Sequence, residues 1–507
     1  MTAALWVLLV AGYVLATWKW LRVAQREHYA PGRVSRMALI WLRARPVSWL
    51  QLAVVAAAFV ASARWPWAAI IGIAAATVFP WGLAIASRTT PLAFTGRVWR
   101  LTAVLAVIEA VVVAAPMDPR YGVLGLALLP LLTDLALAIT RPVEAAMAGK
   151  YVTAARKRLR DVSPTVVAIT GSYGKTSTKG YAAALIADAK RVLASPASFN
   201  NLLGLSKAVN DGLAPGTEVF IAEMGTYGPG EIRRLCEMFT PSIAAITTIG
   251  EAHLERMGSR ETIVKAKSEI VETARTAILN VDVPELAELA DRIAGEKTVL
   301  RCSASTPAGA AVAVVPDGDR WRVHLDGEPA TELPAPRTGY PINLAIAVAI
   351  ALAVGVDRDR VVATVTKLAD SLAPPSHRAE VSRAADGTVV IDDTYNANPE
   401  GAAAAIRSAR ELAAPGATVW TVTPGMIELG HNQVERNRAL GAQATAEPHM
   451  RLVITGYVNR RALLDGATDR ARVLVAKDRQ AAMVLVQRDL APGDVVLYEN
   501  DLPSHYP

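Results

Sequence analysis

The sequence predicts an α-helical membrane bundle followed by two α/β units, and three observations carry that prediction. Residues 1–150 hold 9 of the 11 tryptophans and a net charge of +9, and five apolar runs cross them. A β-branched segment at 165–170 leads through a glycine-rich turn into a helical stretch, the local order of an anion-binding loop. Beyond about residue 376, short apolar strands alternate with helical stretches, the pattern of a doubly wound sheet. The expected boundaries are 1–150 for the transmembrane region, 151–375 for a central domain and 376–507 for a C-terminal domain.

Composition narrows the class. The 507 residues include 53 Lys+Arg and 46 Asp+Glu, and 52% are hydrophobic. The mean hydropathy is +0.27. A chain this apolar is not largely disordered, and a positive hydropathy points to membrane segments. Cys236 and Cys302 alone exclude a disulfide scaffold and a cysteine-rich zinc site. Residues 151–507 carry a net charge of −2, so the basic excess lies wholly in the apolar third.

The apolar runs fall at about 2–18, 47–63, 67–86, 101–115 and 123–139. Each is near the ~17–25 residues that cross a bilayer, and tryptophans at their ends fit an aromatic belt. The competing account is a buried helical core in a soluble domain. Lys19, Arg22, Arg26, Arg33, Arg36, Arg43 and Arg45 lie between runs one and two. Arg88, Arg97 and Arg100 lie between three and four, and Arg141, Lys150, Arg156, Lys157, Arg158 and Arg160 follow run five. The other two connections hold only Arg64 and Arg120. The positive-inside rule then sets the N-terminus outside and the rest of the chain, after a multi-pass region of about five spans, on the cytoplasmic side of the cell membrane. Basic loops of this kind contact anionic lipid, and no nucleic-acid partner is expected. Glu109 and Asp134, inside or at the edge of spans, are candidate functional carboxylates by their cost in hydrocarbon.

The segment Gly171-Ser172-Tyr173-Gly174-Lys175-Thr176-Ser177 follows the 165–170 strand. Backbone N–H groups at such a turn point at phosphates, Lys175 adds charge, and Thr176 or Ser177 offers a hydroxyl to Mg²⁺. The generic phosphate-loop spacing would place glycine at Ile169, so this loop is a shorter variant.

That shorter loop resembles the T-G-x-x-G-K-[ST]-[ST] loop of the Mur ligase family, and further segments follow in the family's order. Phe199–Leu205 (FNNLLGL), Phe220–Gly225 (FIAEMG), Ala252–Glu255 (AHLE), Lys265–Ile270 (KAKSEI), Pro375–Arg378 (PSHR) and Asp392–Pro399 (DDTYNANP) resemble its central and C-terminal motifs. The resemblance runs from about 165 to 460 and is closest to the branch that adds D-alanyl-D-alanine to the muramoyl tripeptide. It implies a central P-loop ATPase domain and a C-terminal doubly wound domain that join a carboxylate to an amine through an acyl phosphate. ATP and two Mg²⁺ ions are the implied cofactors. The amine donor is an amino acid or dipeptide, and the acceptor is a carboxylate.

By the same resemblance, Gly171, Ser172, Gly174, Lys175, Thr176, Ser177, Asn343, Arg378 and Asp393 meet the nucleotide. Thr176, Glu223, His253 and Lys267 are the metal-contacting set, with Lys267 carbamylated, and Lys175, Lys267 and His253 are the catalytic group. Taken singly, His253 reads as a capping or core histidine, Lys267 as a solvated helical lysine, Arg378 as a linker charge and Asp393 as a turn residue. Tyr340 stands where the family has a second asparagine, and Pro424-Gly425 stands where it has Gly-Asp. The stretch Tyr498–Pro503 replaces the branch's usual basic ending.

The family begins with a soluble domain that grips the UDP end of its acceptor, and here the apolar bundle stands in that place. The expectation is therefore a membrane-anchored ligase of cell-envelope or peptidoglycan precursor synthesis, with two accounts of its acceptor left open: a lipid-linked one at the membrane surface, or a UDP-linked one handled by an ordinary ligase that the spans only anchor. Two other accounts are a poly-γ-glutamate synthase-like polymerising ligase and a non-catalytic nucleotide-binding membrane scaffold.

Overall fold

The computed structural model describes residues 2–86, 91–114, 118–196, 199–251, 254–336, 340–368, 380–394 and 397–507. Seven helices come first: α1 (Thr2–Arg26), α2 (Arg33–Ala44), α3 (Pro46–Ala61), α4 (Ala68–Thr77), α5 (Gly96–Ala114), α6 (Pro119–Ala127) and α7 (Leu129–Val162). They pack around a core that includes Leu9, Trp20, Met37, Trp41, Leu101 and Leu126. Their outer face stays apolar, with Val7, Val14, Trp49, Val60, Trp67, Trp99, Val107 and Leu131 all exposed.

The expected five spans are not what these helices form. Among the described residues only α1 is by itself long and apolar enough to cross a membrane. The pairs α2–α3 and α6–α7 pass together but bend by 109° and 75°, which makes three spans at most. Prolines cause the division, because Pro46, Pro119 and Pro130 each open a new helix. The run at 67–86 yields only the ten-residue α4, about 15 Å of helix against a hydrocarbon core of about 30 Å. α5 carries Arg97, Arg100 and Glu109 in its 19 residues.

Charged side chains inside this domain hold helix ends and one side-chain hydroxyl. Lys19 is fully buried and donates to the carbonyls of Thr77, at 2.9 Å, and Phe79, so a cation caps the end of α4. Asp134 accepts from Val34 N at 3.2 Å and Ser35 N at 2.9 Å, and so caps the start of α2, whose own N-cap is Gly32. Glu109 accepts from the Thr17 hydroxyl at 2.5 Å.

α7 continues without a break from this domain into the next, where Val152, Ala155, Leu159 and Val162 join the core of the central sheet. The central domain contains β1 (Thr165–Thr170), α8 (Lys175–Ala187), β2 (Val192–Ala194), α9 (Leu202–Gly212), β3 (Val219–Glu223), α10 (Glu231–Phe239), β4 (Ile243–Ile246), α11 (Leu254–Met257), α12 (Arg260–Ser268) and β5 (Thr276–Asn280). It closes with α13 (Pro284–Ile293), β6 (Thr298–Ser303), β7 (Val312–Asp317), β8 (Arg320–Leu325), β9 (Glu328–Pro334), α14 (Pro341–Ala353) and α15 (Arg358–Leu368). The strand order is β2-β3-β1-β4-β5-β6-β7-β8-β9, parallel through β7 and antiparallel beyond. α14, apolar except for Asn343 in its first turn, is buried between this sheet and α8, which explains its lack of a polar face.

The C-terminal domain contains β10 (Glu380–Arg383), β11 (Val389–Asp393), α16 (Pro399–Leu412), β12 (Val419–Thr423), α17 (Gln433–Gln443), β13 (Met450–Thr455), α18 (Arg460–Gly466), β14 (Val473–Ala476), α19 (Arg479–Asp489) and β15 (Val495–Glu499). Its sheet order is β10-β11-β15-β12-β13-β14, with β10 antiparallel at the edge. The expected α/β patterning is thus present in both units. Cys236 and Cys302 are buried free thiols.

Candidate active site

The chain leaves β1 at the centre of the parallel sheet, between β3 and β4, which is where open α/β sheets bind ligands. Gly171 has φ +151° and Gly174 φ +81°. A Cβ at Gly171 would overlap the Thr247 hydroxyl, and one at Gly174 would overlap the Asn343 side chain. The turn is therefore glycine for steric reasons. Gly174 is also the N-cap of α8 and brings no side chain to the first turn, so the positive end of the helix is left for an anion. Lys175 folds back on the turn, its Nζ 2.7 Å from Gly171 O. Ser172 has a structural part in the turn as well. It is buried, its hydroxyl bridges to Gly250 at 2.9–3.0 Å, and it braces the turn against the loop after β4.

Thr176 Oγ1 donates to Glu223 Oε2 at 3.0 Å across the ends of α8 and β3. The same oxygen accepts from Lys179 Nζ at 2.9 Å, with the two side chains 6% and 2% exposed. Lys179 was not among the expected site residues. Its signal was its place one helical turn after Lys175, on the same face of α8. A hydroxyl and a carboxylate suit a hard divalent cation. Among the described residues no three His, Cys, Asp or Glu side chains cluster as a metal site. His253 and Arg378 lie outside the described residues.

Lys267 is 4% exposed at the end of α12 and lines a cavity of about 260 Å³ with Gly171, Lys175, Asn200, Tyr227 and Arg234. Burial, aided by the positive Lys175, pushes its ammonium well below the usual lysine range. This is not the solvated helical lysine its charged neighbours suggested. Glu269, two residues on, is 2% exposed and accepts from Gly230 N at 2.7 Å and Arg233 N at 3.1 Å, so it caps α10.

Asn343 is buried in the first turn of α14, against the glycine turn. Asp393 ends β11 in register with Glu499 of β15. Glu499 is fully buried, and burial beside the Asp393 carboxylate holds its acid well above the usual range. Burial raises the phenol of Tyr340, which precedes α14, and the carboxyls of Asp393 and Glu499 across the domain cleft add to the shift. A second cavity of about 400 Å³ in that cleft is lined by Tyr173, Glu251, Arg260, Glu400, Arg407 and Arg436. Two ion pairs hold the cleft: Arg436 to Glu251 at 2.5–2.8 Å and Arg256 to Glu428 at 2.7 Å.

Residues 169–351 match the Mur ligase middle domain, and residues 377–498 match the Mur ligase glutamate ligase domain. The UDP-N-acetylmuramoyl-tripeptide–D-alanyl-D-alanine ligase of Mycobacterium bovis is 34% identical over 384 residues, covering 69% of this chain and 72% of its own. The enzyme of that name from Escherichia coli is 28% identical over 368 residues, 67% and 78% of the two chains. The MurF ligase of Thermotoga maritima in complex with ADP superposes with a TM-score of 0.58 at 25% identity, over 70% of this chain and 80% of that one. The MurF of Acinetobacter baumannii shares the fold, with a TM-score of 0.59 at 23% identity over 70% and 77%. With its glycine turn, its Thr176–Glu223 pair and its two matched domains, the chain belongs to the Mur ligase family and is an ATP-dependent ligase that forms amide bonds.

Proposed function

We propose that this ligase works at a membrane surface in peptidoglycan or related cell-envelope precursor synthesis, joining an amino acid or dipeptide to a carboxylate of a lipid-linked acceptor. The observation that carries the reading is the helical domain itself. It lies outside both matched regions, exposes an apolar outer face, and seats α2 directly against the ligase through Arg36 and Glu255. Exposed apolar surface on this scale marks a membrane or protein contact. The basic loops favour the orientation with the N-terminus outside and the ligase domains cytoplasmic.

Bound Mg-ATP would supply the phosphoryl group and the cationic charge that the carboxylate–phosphate encounter requires. The chain's own part is to hold and orient. The α8 N-terminus and Lys175 would cradle phosphates, Thr176 and Glu223 would hold a hard cation, and Asn343 and Asp393 would meet the base and ribose from the two sides of the cleft. Burial lowers the Lys267 ammonium and so favours the neutral amine, whose lone pair can add CO₂, giving a carbamate and releasing one proton. Lys267→Ala would then lose activity that short carboxylic acids partly restore, and an unimpaired variant would refute the carbamate.

The decisive measurement is amine-dependent ADP release by the detergent-solubilised full chain, with membrane lipid extract or a UDP-linked muramoyl peptide as acceptor. Preference for the lipid extract supports the reading. Equal turnover on the UDP-linked acceptor overturns the lipid-linked part of it. A ladder of products favours the polymerising ligase.

A further inference from the structure

α2 is amphipathic in a way that the bundle only half uses. Val34, Met37, Ala38, Trp41 and Leu42 are buried, Val34 against Asp134 of α7. Arg33, Arg36, Ile40 and Arg43, at the i, i+3, i+7, i+10 spacing of a single helical face, turn the other way. They line a cavity of about 400 Å³ whose far wall is the C-terminal domain segment around Glu428 and Val434. Three carboxylates also face it, and each is already engaged. Glu255 pairs with Arg36, Glu428 with Arg256, and Glu27 with His505 Nε2 at 3.1 Å. Among the described residues no carboxylate pairs with Arg33 or Arg43.

This cavity adjoins the catalytic one. Tyr227 lines the cavity that holds Lys175 and Lys267. Arg256 stacks on the Tyr227 ring at 4.3 Å while reaching Glu428 in the α2 cavity. The Tyr227–Arg256 pair is therefore the partition between the two. α2 also turns by 109° into the apolar α3, so its basic face sits where the helical domain's apolar surface meets the ligase.

We infer that the basic face of α2, through Arg33 and Arg43, binds the diphosphate ester of the acceptor and aims the acceptor's carboxylate past Tyr227 toward Lys175. This rests on the ligase reading above and names the recognition site that reading lacks. A cavity of about 400 Å³ with two guanidiniums that no described carboxylate pairs and the apolar Met37 and Ile40 suits an anion attached to a larger body, and guanidinium is the side chain that grips phosphate oxygens in pairs. A diphosphate ester can come from a lipid carrier or from a nucleotide, and the lipid is the source favoured by α2's position.

The test is equilibrium binding to the full-length enzyme in excess detergent, with dodecyl diphosphate and UDP as separate probes, for wild type and Arg33→Gln/Arg43→Gln. Dodecyl diphosphate affinity is expected to fall about tenfold in the double variant, with a shallower salt dependence and unchanged ATP affinity. Arg33→Lys/Arg43→Lys should keep most of the binding. The single Gln variants serve where the double one fails to fold. Wild type that binds neither probe, or a Gln variant that binds both as wild type does, overturns the site. Loss confined to UDP keeps the site and overturns the lipid-linked acceptor.

Discussion

Lys179 holds its ammonium 2.9 Å from Glu223 Oε2, in a pair so buried that neither side chain exceeds 6% exposure. Glu223 is the carboxylate expected to face a metal, so its charge is balanced from the helix side as well. Breaking a buried pair by removing one partner strands the other charge. Lys179→Met should cost about 3–5 kcal/mol in denaturant unfolding. Mg-ATP should narrow that gap, because a cation at Glu223 restores the missing charge. A variant as stable as wild type without Mg-ATP would refute the role.

Gly174 joins the nucleotide turn to α14. Gly174→Ala adds about 1–2 kcal/mol of left-handed backbone strain and drives its Cβ into Asn343. ATP affinity should fall by at least about tenfold, since the displaced turn no longer presents its amides. Adding Asn343→Ala should relieve the overlap but leave the strain, so recovery should be partial at best. Isothermal titration with ADP reads both.

Glu499 is an acid whose pKa is higher folded than unfolded. Above the unfolded pKa the native state holds a proton that the unfolded chain has released, so stability falls as pH rises from the ordinary carboxylate range. Glu499→Gln removes this dependence. It should raise Tm at pH 8 by a few degrees and leave Tm unchanged near pH 4. Equal effects at both pH values would contradict the assignment.

The segment Ser504–Pro507 ties the C-terminal domain to the helical one. Arg22 Nη1 donates to Ser504 Oγ at 2.9 Å, Trp41 Nε1 donates to His505 O at 2.9 Å, and Tyr457 N donates to Pro507 O at 3.0 Å. Trp41→Ala removes the central donor and the ring that covers it. Hydrogen exchange at the Tyr457 amide should then accelerate by about tenfold, the effect of losing roughly one hydrogen bond's worth of protection. Unchanged exchange would show that the segment is held without Trp41.

Much of the site was legible because its chemistry is local. The glycine turn, Lys175 and Thr176 are contiguous, and strand–turn–helix order alone points their amides at an anion. Lys267 was marked by its motif and not by its immediate surroundings in the chain. Its neighbours are charged, and only packing of α12 against the sheet buries it. Lys179 was marked only by its helical spacing from Lys175, while its pairing with Glu223, the Asp134 cap of α2 and the Glu499–Asp393 neighbours were not legible, because each joins residues 44 to 106 positions apart. The helical region shows the opposite failure. Hydropathy counts apolar residues and cannot see that Pro46, Pro119 and Pro130 end one helix and begin another.

By itself the sequence determined an apolar, basic first third, a glycine turn between a buried strand and a helix, and two α/β units in family order. Those properties follow from periodicity and spacing, which are fixed along the chain. The tertiary structure alone decided how the helices of the apolar third pack, which charges are buried, and that α2 turns its arginines toward the ligase. These depend on which surfaces meet, and burial sets the energy of every charge in them.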